Sequence, residues 1–136
     1  MIGLVIVAHG GLATELLAAM EHVVGPQPGA RAIPVTPDAN LPELQKVILS
    51  AVEEVDDGSG VILITDMFGG TPSNLAMSAM TRPDVDVIYG ANLPLLVKLA
   101  KSRRLPMAEA AGAAVAAGVK YVDSAGGILA ARRARA

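Results

Sequence analysis

His9 and Asp66 are the residues in this chain whose types and settings point to chemistry. Each ends a short apolar run, GLVIVAH in one case and VILITD in the other, and glycines follow soon after, Gly10-Gly11 and Gly69-Gly70. Imidazole is the side chain best suited to gain or lose a nucleophilic lone pair near neutral pH. A carboxylate that accepts its Nδ1–H fixes the tautomer and presents Nε2, the orienting logic of an Asp–His pair. A histidine standing alone at such a place more often just bonds a loop carbonyl. What favours the reactive reading is the topology, which brings a carboxylate and an anion cradle to the same place.

The stretch DMFGGTPSN after the second run supplies that cradle. Thr71 reads as a helix N-cap, with Pro72 at the first helical position, where its fixed φ and missing N–H do no harm. With Thr71 in the capping role, Asp66 is free for His9. Backbone N–H groups and the positive end of the helix dipole then converge on one point, and Gly69 and Gly70 let the main chain approach closely. A neutral imidazole facing such a cradle suits phosphoryl capture, with His9 as acceptor. The amides of Gly69–Thr71 and the Thr71 hydroxyl would take the phosphate oxygens, since this chemistry is mostly positioning and charge stabilisation.

Several other chemistries lack their residues. There is no G-x-S-x-G for a nucleophilic serine, and neither G-x-x-x-x-G-K-[ST] nor G-x-G-x-x-G for nucleotides. Cysteine is absent, which excludes disulfides and thiolate chemistry. One His and one Asp are too few for a metal, so none is assigned, and no cofactor is expected. His22 falls on the polar side of its helix and reads as solvated.

Strands are expected at residues 2–8, 30–36, 61–65 and 85–89, and helices at 12–24, 41–55, 72–80, 93–103 and 106–117. The helices rest on apolar recurrence at 3.6-residue spacing and the strands on short β-branched runs. Asn40 caps the second helix with Glu43 three residues on, and Asn92 caps the fourth. Four βα units in succession mean an α/β fold, a doubly wound parallel sheet with helices on both faces. Pro34 cannot donate to a ladder, which puts the second strand at an edge and the order at 2-1-3-4. The reversal then falls between strands one and three, where ligands bind beyond the carboxyl ends, and His9 and Asp66 become neighbours. A short last strand is read at residues 119–123.

At 136 residues the chain makes one domain, expected over residues 1–124, with a C-terminal tail at 125–136. The net charge of −2 and three aromatic residues argue against a nucleic-acid binder. Arg132, Arg133 and Arg135 read as a solvated end. No apolar run is long enough to cross a bilayer, and the N-terminus lacks a basic leader. A cytoplasmic location is the expectation.

Taken together, IVAHG with His9, TDMFGGTPSN with Asp66 and GANLPLL with Asn92 resemble the enzyme IIA component of the mannose family of the bacterial sugar phosphotransferase system. The resemblance runs over essentially all of residues 1–123. It implies a homodimer in which the strand at 119–123 pairs antiparallel with the partner's sheet edge. It also implies that His9 takes phosphate on Nε2 from the phosphocarrier HPr and passes it to a IIB component, without metal. Gly10, Phe68 and Asn92 would stand in loops near that site. The sequence ends at Ala136, so the IIB component is expected on a separate chain, and contact with the membrane would be indirect, through a transporter complex. The same His9 also suits a regulatory IIA protein whose phosphorylation switches a partner, since phosphate adds about −1.5 to −2 charge at one spot.

Overall fold

Strict alternation along two central strands decides the architecture. The computed structural model describes residues 1–136 and begins with β1 (Gly3–His9), α1 (Leu12–Val24), β2 (Ala30–Val35) and α2 (Leu41–Val55). β3 (Val61–Thr65), α3 (Thr71–Met77), β4 (Val85–Ile88) and α4 (Leu93–Lys101) follow, and then α5 (Met107–Lys120) and α6 (Ala125–Arg135). Leu4, Ile6, Ala8, Ile62 and Ile64 face one way, against Met20 of α1, Leu96 and Leu99 of α4, and Ala110 and Ala114 of α5. Val5, Val7, Val61 and Leu63 face the other way, against Ile48 and Val52 of α2 and Ala76 of α3. Each large side chain buried in these rows contributes about 1.5–3 kcal/mol.

The strands pair in parallel in the order β2-β1-β3-β4. β2, with Pro34, lies at an edge as its missing donor requires. Asn40 and Asn92 cap α2 and α4 through their side chains, accepting the N–H of Glu43 at 3.1 Å and of Leu95 at 3.0 Å.

The amino end of the sheet is tied by a buried cation. Arg103 is 3% exposed. Its Nε donates to Ile2 O at 2.7 Å, Nη2 to Gly29 O at 3.1 Å and Nη1 to Gln27 Oε1 at 3.1 Å. That inward turn is why α4 stops at Lys101, short of the residue 103 expected from periodicity.

Three further expectations are corrected. The N-cap of α3 is Gly70, in extended conformation, and Thr71 is already helical; no side chain caps this helix. α3 also ends at Met77, short of residue 80, because Ala79 and Met80 bond three residues back and tighten the chain ahead of Pro83.

The third correction concerns the C-terminus: there is no strand at 119–123. Gly118 lies so close to α4 that a Cβ on it would meet Leu95 at 3.1 Å, and Asn92 Nδ2 donates to Gly118 O at 3.0 Å. This contact carries α5 past the glycine, so Val119 and Lys120 form its last turn, with Tyr121 as C-cap. The exchanged antiparallel edge strand therefore has no strand to build it. Residues 125–136 are not frayed either: Ser124 accepts the Gly127 N–H at 2.9 Å and opens α6, which buries none of its residues.

Candidate functional site

The register of the central pair creates the site. β1 and β3 align Val7 with Thr65, so the residues that leave these strands, His9 and Asp66, emerge side by side at the carboxyl edge. Gly10 follows at φ +56°, a left-handed turn that suits glycine, and its N–H returns to Val35 O at 2.9 Å. Thr65 O accepts the Ala91 N–H at 3.0 Å, which anchors the β4–α4 loop to the same edge.

His9 Nδ1 lies 2.7 Å from Asp66 Oδ2, and the His9 backbone N–H donates to the same oxygen at 3.0 Å. Asp66 Oδ1 accepts the Met67 N–H at 2.9 Å. A carboxylate only accepts, so the proton of the imidazole resides on Nδ1 and the neutral ring keeps its lone pair on Nε2. Burial alone would push the Asp66 carboxyl up. The His9 backbone N–H, the His9 ring and the Met67 N–H outweigh it and hold the group below its ordinary value. The two partners differ in access: the His9 side chain is 51% exposed and that of Asp66 is 12% exposed. The carboxylate is largely covered and the imidazole presents an open edge.

The other expected residues distribute unevenly. Gly70 lies directly against the Cε1–Nε2 edge of His9. Its amide and that of Thr71 have no acceptor within the chain. Gly69, at φ +89°, turns its N–H inward to Ser73 Oγ at 3.4 Å, so this amide of the cradle is committed to its own helix. Thr71 is exposed and lines a shallow groove with Gln45, Asn74 and Ser78 between α2 and α3. Asn92 is engaged at both ends of its amide, with Leu95 and Gly118, and serves as the joint between α4 and α5. Phe68 is exposed on the rim and packs on Tyr89 with ring centroids 4.9 Å apart.

Two contributors are invisible to motif reading. Ser73 is fully buried and anchors the glycine loop from below. Tyr89 directly follows β4, as Asp66 does β3, so its position at a strand end was the available signal. Thr65, the last residue of β3, is also fully buried and leaves its Oγ1 without a partner. No three His, Asp or Glu side chains gather at one place.

His9 lines none of the larger surface grooves. One of about 470 Å³ runs between α4 and α5, bordered by Lys98, Lys101 and Lys120, and shares no residue with the His9–Asp66 pair. His9 instead sits on an open rim, its side chain half exposed.

Comparison with known proteins gives a consistent picture. Residues 3–117 match the family described as EIIA-man, PTS system fructose IIA component. The sorbose-specific EIIA component of Lacticaseibacillus casei is 33% identical over 98 residues, which cover 71% of this chain and 70% of that protein. The mannose-specific EIIAB component of Escherichia coli strain K12 is 31% identical over 103 residues, 75% of this chain but 32% of that longer protein. The chain thus spans about a third of its length. Among solved structures, the mannose/sorbose specific IIA subunit from Enterococcus faecalis superposes with a TM-score of 0.81 at 29% identity, covering 90% of this chain and 93% of that one.

Proposed function

The chain belongs to the mannose family of enzyme IIA components of the phosphotransferase system, a family of phosphoryl carriers, and we propose that His9 is the residue that carries the group here. The observation that supports this most is the division of labour in one ring. Nδ1 is fixed on Asp66 at 2.7 Å, while Nε2 makes no bond within the chain and stands on a half-exposed edge.

In the forward step the Nε2 lone pair attacks phosphorus in line. A new N–P bond forms while the bond to the donor breaks, and the electron pair departs with the donor. Asp66 keeps the Nδ1 proton in place and offsets the positive charge that develops on the ring. The unclaimed amides of Gly70 and Thr71, with the Thr71 hydroxyl, are the donors for the phosphoryl oxygens; Gly69 joins them only if it releases Ser73. The return step runs the same sequence backwards onto the acceptor.

The donor in this reading is HPr, and the acceptor is a IIB component on a separate chain that serves sugar uptake and phosphorylation. The open rim supports it, because a protein that offers its own phosphohistidine needs an accessible edge and not an enclosing pocket. No helix is long and apolar enough to cross a membrane, which agrees with a cytoplasmic carrier that meets the membrane only through a transporter complex. The working unit is residues 1–124, acting as a homodimer, with 125–136 as an appendage.

The test is phosphoryl transfer in vitro. Incubation with phosphoenolpyruvate, enzyme I and HPr is expected to leave acid-labile, base-stable phosphate on His9. Protein that stays unlabelled while HPr is charged would count against the reading.

A further inference from the structure

Seven glycines adopt positive φ, and Gly70 is not among them. Its backbone, at φ −86° and ψ 172°, is extended and open to any residue. Nothing in its own conformation calls for glycine. Its neighbour does: a Cβ on Gly70 would stand 3.0 Å from His9 Cε1 and 3.4 Å from His9 Nε2. At the other glycines of this edge, Gly10, Gly11, Gly69 and Gly90, a Cβ would meet nothing within 4 Å. The imidazole is also poorly placed to yield, because retreat from Gly70 pulls Nδ1 off Asp66, to which it bonds at 2.7 Å.

We propose that Gly70 is a positioning residue for phosphoryl transfer. By presenting only hydrogen to the Cε1–Nε2 edge, it leaves the approach to Nε2 clear and lets the ring stay seated on Asp66. This rests on the reading of His9 as acceptor and specifies what keeps that acceptor usable. In the transfer, Nε2 gains the N–P bond as the donor's bond to phosphorus breaks and its electron pair leaves with the donor, while the Nδ1 proton stays between ring and carboxylate. A methyl group 3.4 Å from Nε2 competes with the phosphoryl oxygens for the same space. Because the crowding acts on the ring itself, it impedes loading and unloading alike, and it does so for any donor, large or small.

The experiment compares Gly70→Ala with Gly11→Ala. Gly11 stands two residues after His9, has φ −83° and offers open space to a methyl, so it controls for the glycine-to-alanine change itself. Three measurements are made: saturation kinetics with phospho-HPr, which give the maximal rate and the half-saturating concentration; the rate with phosphoramidate as a small donor; and the NMR signal of the His9 Nδ1 proton. In Gly70→Ala the maximal rate is expected to fall about tenfold, because a contact at 3.0 Å displaces the ring by a few tenths of an ångström, less than the 1 Å misplacement that costs roughly 10²-fold. The half-saturating concentration should stay unchanged, the loss with phosphoramidate should be similar, and the Nδ1 proton signal should move. Gly11→Ala should match the wild type in all three. Wild-type rates for Gly70→Ala with both donors overturn the role of Gly70 alone, and so does a loss confined to phospho-HPr or to the half-saturating concentration, which would mark a docking contact. Wild-type protein that takes no phosphate from either donor overturns the reading of His9, and the role of Gly70 falls with it.

Discussion

The two ends of this one sheet use polar groups in opposite ways. At the amino end they are packed shut: a Cβ on Gly3 would lie 2.5 Å from Val55 O, and one on Gly60 would lie 2.3 Å from Met107 Cε. Asp56 accepts the N–H groups of Gly58 at 2.9 Å and Gly60 at 3.2 Å and pairs with Arg82. Arg103 spends its guanidinium on Ile2 O, Gly29 O and the Gln27 side chain. Burial lowers the pKa of Arg103, against a smaller upward pull from Asp57, yet an arginine so placed stays charged. At the carboxyl end a charged group also meets main-chain donors, but one ring nitrogen is left over and faces solvent. Where a charge spends its bonds on the main chain it acts as glue; where one ring nitrogen is spared, it is available for the proposed transfer.

That contrast is open to breakage from either end. The largest effect is expected for His9→Ala, which should abolish phosphate incorporation while the thermal midpoint stays near that of the wild type; residual label would move the acceptor elsewhere. Asp66→Asn should slow phosphorylation roughly 10²-fold with the fold retained, because the carboxylate charge is lost and the single amide oxygen cannot serve both the His9 Nδ1–H and the Met67 N–H. Stopped-flow transfer from phospho-HPr measures this, and an undiminished rate would remove Asp66 from the mechanism. Gly60→Ala attacks the closed end, where overpacking alone costs about 1–3 kcal/mol and the φ of +92° adds strain. Denaturant titration should show that loss, with labelling per folded molecule unchanged. Arg103→Met should cost about 1–3 kcal/mol, since Ile2 O and the Gln27 side chain lose the guanidinium, while Gly29 O keeps only the Leu4 N–H. It too should leave the labelling rate alone.

The smallest effect concerns acid. Asp66 is held below its ordinary value of 3.8, so the folded chain binds that proton less readily than the unfolded chain does. The stability it contributes is complete above the ordinary value and is lost as pH falls through the lowered one. Acid unfolding of the wild type should therefore be steeper than that of Asp66→Asn in the range below 3.8, as circular dichroism would show.

What could be read in advance was whatever depends on local pattern. Pro34 marked an edge, four βα units implied the strand order, and that order made His9 and Asp66 neighbours. Asn40 and Asn92 stood as caps because a cap and its amide lie three residues apart. Features that depend on distant contacts were not legible. α5 runs past Gly118 because Asn92 and Leu95 receive it, and neither is near in sequence. Arg103 reads in the sequence only as the last residue of a helix, since no short pattern announces a cation that ties Ile2 to Gly29. The choice of Gly70 over Thr71 as N-cap turns on one residue's dihedral angles, where G-G-T-P offers two adjacent starts. Gly70 reads in the sequence as one of two cradle glycines, and only its approach to His9 sets it apart from Gly69.

The central claim is that Nδ1 of His9 belongs to Asp66 and Nε2 to the phosphoryl group. Long-range proton–nitrogen NMR of the His9 ring, before and after transfer from phospho-HPr, measures both assignments at once. The expected spectra show a protonated Nδ1 throughout and phosphorus coupled to Nε2 afterwards. A resting proton on Nε2, or phosphorus on Nδ1, would contradict it.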